Sequence, residues 1–266
     1  MSNMIDVKIR MRRVLSVAAL GLGIFSGIRP AQATPATLGF YPSTDTYADK
    51  SFHLDVDSYR LKNFSGTSFD TAGLTYGIGD TDKAFGRSEV GFDFISSGGN
   101  SFGKRLLFNA KTQIYNNPES TLKAVAGVWL VGSRGAGAAN VGYLLGSKAF
   151  KFGRIHAGVA HAFRDQAGTT ETFLQLGYDK AITKKLSFAA DFYSGRGPLS
   201  GIQPSLYYAV NDKASFGIGY FINREPSGAP KNDQLYLCFD YNFGGAPAQQ
   251  EAQPVSPATG TAPANP

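Results

Sequence analysis

Between residues 51 and 243 the chain alternates apolar with polar or small residues, in segments of about ten. Strand side chains point alternately to opposite faces, so each segment has one oily side and one wet side. In the first, Phe52, Leu54 and Val56 share a face, while His53, Asp55, Asp57 and Tyr59 share the other. Val90, Phe92 and Phe94 oppose Glu89 and Asp93 in the third, and Leu186, Phe188, Ala190 and Phe192 oppose Ser187, Asp191 and Tyr193 in the ninth, where the parity is expected to slip by one. Twelve strands are predicted, at 51–60, 71–79, 87–95, 104–115, 120–131, 139–147, 153–163, 172–180, 186–193, 201–210, 213–222 and 234–243. Strands of globular proteins average about half this length, whereas ten residues suits a tilted strand crossing a bilayer.

The connections separate into two sets. Those expected at one end span about 10, 8, 7, 8, 7 and 11 residues and those at the other about 7, 4, 5, 5 and 2, the alternation of long loops and short turns that transmembrane barrels show. Asn116-Asn117-Pro118-Glu119 and Asn211-Asp212 carry turn chemistry in the short set, and Gly, Ser and Pro enrich the long set. No stretch after residue 30 approaches the roughly 20 apolar residues of a spanning helix. The expected fold is all-β: a closed antiparallel transmembrane β-barrel of twelve strands, with both termini at the short-turn end.

The last segment places Leu235, Leu237, Phe239, Tyr241 and Phe243 on one unbroken face. This resembles the terminal β-signal read by the barrel-assembly machinery of Gram-negative outer membranes. The chain thus resembles bacterial outer-membrane, porin-like barrels by architecture over about residues 51–243 and by motif at that strand. The resemblance implies the bacterial outer membrane as location, with its lipid and the assembly machinery as partners. In that pattern the phenylalanine usually ends the chain, and here residues 244–266 follow it.

The flanks read differently. Basic residues through Arg13, an apolar run from Val14 to Ile28 and then Ala31-Gln32-Ala33 form the three parts of a secretory signal peptide, with the mature chain expected from Thr34. Residues 244–266 are Gly, Pro, Ala, Gln and Thr with little else, a composition expected to stay disordered. Residues 34–50 match no motif and are expected either as a periplasmic lead-in or as a partial plug of the lumen.

Composition narrows the function classes. Hydrophobic residues make up 42% and charged ones 17%, with 32 Gly, 20 Phe and 13 Tyr, which suits many strands and flexible turns. The formal charge of +6 suggests a nucleic-acid partner until residues 1–33 are set aside, since they hold five bases and one acid. The rest is nearly balanced and carries no basic block, so no nucleic acid is expected. The single cysteine, Cys238, excludes an internal disulfide framework and multi-cysteine metal sites, and is expected simply to pack.

If the oily faces meet lipid, the wet faces line the interior. The candidate pore lining is His53, Asp55, Asp57, Glu89, Asp93, Lys111, Lys123, Arg154, His156, Asp179, Asp191 and Asp240, with Asn109, Gln113, Gln175, Gln203 and Tyr207 among them. Closure should set an acidic wall opposite a basic one, a transverse field resembling the constriction of general porins. Two readings follow: a passive channel for small polar solutes, selective by field, or a non-conducting structural or surface-interaction barrel whose charges pair and plug it.

Sharper chemistry is weaker on spacing. His53, Asp55 and Asp57 stand in one row, but residues two apart on a strand are some 6–7 Å from each other, poor geometry for catalysis or a metal. His161 on the lipid face lacks the serine and amide pattern of the outer-membrane phospholipase family. Neither an enzyme, a metal nor a cofactor is expected. Gly142, Gly146 and Gly158 are assigned to the lumen by parity, where they would let strands curve. Gly132-Ser133-Arg134-Gly135-Ala136-Gly137 has neither the lysine nor the helix of a phosphate loop and is read as an outer loop.

Overall fold

The computed structural model describes residues 36–61, 69–79, 86–96, 105–132, 139–163, 171–197, 199–224 and 233–244. The expected leader at 1–33, nearly all of the tail at 244–266, and the loop at 133–137 lie outside these residues.

Twelve strands form: β1 (Ser51–Leu61), β2 (Phe69–Ile78), β3 (Ser88–Ile95), β4 (Leu106–Asn117), β5 (Leu122–Gly132), β6 (Val141–Phe150), β7 (Gly153–Ala162), β8 (Glu171–Ala181), β9 (Leu186–Tyr193), β10 (Gly201–Ala209), β11 (Ala214–Asn223) and β12 (Gln234–Gly244). Each pairs antiparallel with its sequence neighbours, and β1 pairs with β12 from Ser51↔Gly244 to Leu61↔Gln234, closing the barrel without an edge. Every predicted strand is present. The connections at the end bearing Ser51 and Gly244 run 9, 4, 2, 4 and 4 residues, and those at the far end 7, 10, 8, 8, 7 and 10.

The largest boundary difference is in β6, which runs to Phe150 because Lys148, Ala149 and Phe150 keep pairing with Ile155, Arg154 and Gly153. The turn that follows is therefore two residues. The ladder between β4 and β5 carries register shifts near Phe108 and Gln113. No slip occurs in β9, whose Ala189, Asp191 and Tyr193 are buried on one face.

Large apolar side chains cover the outer wall. Phe92, Phe108, Val159, Leu174, Leu206, Phe216, Ile218 and Leu237 are all at least 39% exposed on faces opposite the buried polar row. That inversion of the globular pattern is what hydrocarbon outside and polar groups inside require.

Parity fails as a guide on β6. There Val141, Tyr143, Leu145 and Ser147 point inward and are buried, so Gly142 and Gly146 lie on the outer face and only Gly158 faces the lumen. An apolar lining on β5 to β7, with Val125 and Trp129, reverses the assumption that oily faces always meet lipid. Something inside must cover that lining.

Candidate functional site: the lumen and its hairpin

Residues 36–48 supply the cover. Ser43 N–H donates to the Ala36 carbonyl at 2.8 Å and Leu38 N–H to the Tyr41 carbonyl at 3.0 Å, and Thr37 bridges Pro42, so the segment is a narrow hairpin turning at Gly39-Phe40. Its legs lie at the short-turn end, where the two oxygens of Glu89 accept the N–H groups of Ala36 (2.9 Å) and Tyr47 (3.0 Å). Its tip reaches the far end, where the Tyr41 hydroxyl donates to the Leu199 carbonyl in the β9–β10 connection. The hairpin spans the lumen lengthwise.

Polar lining holds the hairpin backbone. One oxygen of Asp191 accepts three consecutive N–H groups, from Gly39, Phe40 and Tyr41, at 2.8 to 2.9 Å. The Lys111 ammonium uses its three donors on the carbonyls of Ala36 and Ser43 and on Glu89, each at 3.1 Å. Gln175 donates to the Pro42 carbonyl at 2.7 Å. Buried backbone groups must be paired, and here the barrel wall completes what a two-legged hairpin cannot satisfy itself. The wall packs closely on Gly39, where a Cβ would come within 3.0 Å of Ser205 Oγ and 3.3 Å of Asp191 Oδ2.

Charge anchors the outgoing leg. Arg154 forks onto Asp45 through Nη1 (2.6 Å) and Nη2 (2.5 Å), and onto Asp179 through Nε (2.9 Å) and Nη2 (3.2 Å). His156 Nε2 lies 2.8 Å from Asp179, and Lys123 stands 3.7 Å from Asp45. Burial pushes the Asp45 carboxyl up, but Arg154 and then Lys123 outweigh it and hold the group well below the usual carboxylate range.

At the tip the contacts are aromatic. Tyr41 stacks on Tyr193 with centroids 3.6 Å apart, Trp129 stands edge-on to Phe40 at 5.4 Å, and Phe221 lies 5.1 Å from Phe40. Tyr47 stacks on His53 at 4.2 Å nearer the legs.

All twelve candidate lining residues point inward. His53, Glu89, Lys111, Lys123, Arg154, His156, Asp179 and Asp191 gather around the hairpin, directly or through one neighbour. Asp57 instead accepts from Tyr236 (3.1 Å) and Tyr59 (3.4 Å), Asp93 from Asn109 (3.3 Å), and Asp240 from Ser215 (3.0 Å) with His53 at 3.6 Å; Asp55 pairs in register with Asp240. The expected opposition of an acidic and a basic wall is replaced by pairing of neighbours, Glu89 with Lys111 and Asp179 with Arg154, because adjacent strands bring these groups closer than the lumen's diameter does. Tyr193 lies on the wet face of β9, as its parity predicted, whereas sequence reasoning missed Trp129 and Phe221 as lumenal residues; their signal was an aromatic on the wet parity of an otherwise regular strand.

No protein-family model matches the chain, and no curated protein matches it. Among solved structures, a KdgM porin aligns at 10% identity over 73% of this chain and 99% of its own, with a TM-score of 0.48. The Acinetobacter baumannii outer membrane protein Omp33 aligns at 13% identity over 74% and 99%, TM-score 0.44, and a NanC porin at 10% over 73% and 100%, TM-score 0.43. The chain is similar to outer-membrane porins in its barrel architecture.

Proposed function

We propose that the protein is an outer-membrane, porin-like channel for small hydrophilic solutes whose path is closed by its own residues 36–48 in the state described, so that conduction requires the hairpin to leave. The observation that carries this is the burial of the lining: Glu89, Lys111, His156, Gln175 and Asp191 are at most 2% exposed, and four of these five bond directly to the hairpin. A standing water-filled pore would leave such side chains wet. Beside the aromatic packing of its tip, the hairpin is held by polar bonds that water can replace, a form of attachment that permits reversible release more readily than a continuous apolar core does.

The location rests on the apolar outer wall, on the expected leader and on the outward row Leu235, Leu237, Phe239, Tyr241 and Phe243, which would also serve recognition by the assembly machinery. The runner-up is a non-conducting structural barrel, and the same lumenal pairing speaks for it.

Planar-bilayer recording on the mature chain and on a variant lacking residues 34–50 separates the two. The expected outcome is rare or no openings for the former and steady ionic current for the latter. A folded, inserted deletion variant that passes no current would establish the structural reading instead.

A further inference from the structure

The rim at the short-turn end is asymmetric in charge. Lys148, Lys151, Lys180, Lys184, Lys185 and Lys213 are all exposed there, on β6, on β8 and on the turns after β6, β8 and β10, against a single exposed acid, Asp212, in the same arc. None of the six forms an ion pair among the described residues. On the rest of that rim Lys50 is paired with Asp49 at 3.6 Å, and the described turn between β4 and β5 carries Glu119.

Three of these lysines belong to the outer wall rather than to the mouth. Lys148 and Lys180 share the outward parity of Leu144 and Leu176. The Lys148 ammonium lies 5.8 Å from the centre of the Phe150 ring, and that of Lys185 lies 5.8 Å from the centre of the outward Tyr208 ring. Phe150 stacks on Phe152 at 5.3 Å, and the Tyr178 hydroxyl donates to the Phe152 carbonyl at 2.6 Å, extending an aromatic belt beside the amines. An aromatic belt fixes the headgroup level, and a lysine stem laid along it delivers its amine there.

We propose that this arc, from β6 to the turn after β10, binds the phosphate headgroups of anionic phospholipids in the adjoining leaflet. The inference rests on the membrane-spanning reading above but not on conduction. These amines lack a carboxylate partner among the described residues, although the Lys185 ammonium also donates to the Val210 carbonyl at 3.2 Å, and at that depth they meet headgroup phosphate before any other anion; the arc carries a strong excess of positive charge to match it. A lysine near an anionic membrane surface is worth roughly a fivefold preference, diluted here because the remaining perimeter is indifferent.

The test is the motion-restricted fraction of trace spin-labelled phosphatidylglycerol and of spin-labelled phosphatidylcholine, with the full-length barrel reconstituted in phosphatidylcholine vesicles. The expected result is a preference of about twofold to fivefold for phosphatidylglycerol at low salt, falling to near unity in 1 M NaCl, where charges are screened beyond about 3 Å. K148Q/K180Q/K185Q should abolish most of it. Equal fractions for the two lipids at low salt would overturn the proposal, as would full selectivity in that variant. If the triple variant does not insert, the salt dependence of the unaltered protein decides, with salt-insensitive selectivity overturning it. Tight binding of polyglutamate without lipid discrimination would assign the arc to an acidic protein partner instead. Failure of the unaltered barrel to enter vesicles at all would sink the membrane reading first, whereas an inserted barrel that does not discriminate sinks the lysine arc alone.

Discussion

The two halves of the lumen solve the problem of buried charge in different ways. From β3 to β9 each ionised wall group meets a counter-charge or the hairpin backbone: Glu89 with Lys111, Arg154 with Asp45 and Asp179, Asp191 with three N–H groups. On β12, β1 and the middle of β3, Asp57 and Asp93 accept from neutral donors, tyrosine hydroxyls and an asparagine amide. A buried charge is tolerated when it is paired and costly when it is not. The first half is therefore complementary to a specific occupant, whereas in the second Asp57 and Asp93 bond to the wall itself and not to the hairpin.

The comparison is broken most directly at Asp191. Asp191→Ala strips the acceptor from Gly39, Phe40 and Tyr41 at once, and each buried N–H left unpaired costs about 1–3 kcal/mol. The tip should unseat. In a Cys238→Ala background, Leu38→Cys, buried in the seated hairpin, reports this as maleimide labelling that rises by about tenfold or more, since each 1.4 kcal/mol is a factor of ten. Labelling as slow as in the parent would mean that the aromatic stack of Tyr41 on Tyr193 holds the tip without Asp191.

Arg154→Lys comes next. The variant keeps the charge but loses the fork onto both Asp45 and Asp179, geometry that a single ammonium cannot reproduce. Because the Asp45 side chain is 41% exposed and Lys123 remains nearby, the effect should fall short of that of Asp191→Ala. It should also be confined to the outgoing leg, raising labelling at Thr46→Cys more than at Leu38→Cys.

Acid should act on the same leg. The Asp45 carboxyl is held below its ordinary value of 3.8, so its contribution to seating is fully present above about that pH and is lost only as pH falls through the lowered value. Read with a pyridyl disulfide, which still reacts with thiols in acid, and divided at each pH by the rate of a fully exposed cysteine, labelling at Thr46→Cys should thus be flat from neutral pH to about 4 and rise only below it, and Asp45→Asn should show the raised level throughout. A rise centred near neutral pH would assign the latch to another group.

How much of this was legible depends on which interaction carries it. The strands were, because a period of two survives in any single sequence, and Val90, Phe92 and Phe94 opposite Glu89 and Asp93 need no partner to be read. The inward direction of all twelve titratable candidates followed from the same parity. Gly142 and Gly146 were misplaced because β6 turns Val141, Tyr143 and Leu145 toward the hairpin tip, and local pattern cannot reveal an occupant supplied from a hundred residues away. The hairpin itself has no period: Gly39, Phe40 and Tyr41 are set by an aspartate on β9, and Ala36 and Ser43 by a lysine on β4. Residues 34–50 could be read only as lead-in or partial plug, since the bonds that decide lie across the barrel.

The smallest expected effect lies in the other half. Asp93→Asn removes one of the carboxylates that repel across β1 and β3, keeps the shape of the side chain, and leaves Asn109 a hydrogen-bond acceptor. Asp93 accepts from Asn109 of the wall and not from the hairpin, so labelling at Leu38→Cys should match the parent, while the temperature at which the barrel unfolds should stay level or rise slightly. In the variant lacking residues 34–50, by contrast, the same substitution should reduce the preference of the open pore for cations over anions, because there the carboxylate faces water and its field acts on passing ions. Release of the hairpin by Asp93→Asn on the scale of Asp191→Ala would show that the acidic half holds the occupant too, and the division of the lumen into a seat and a bystander wall would have to be abandoned.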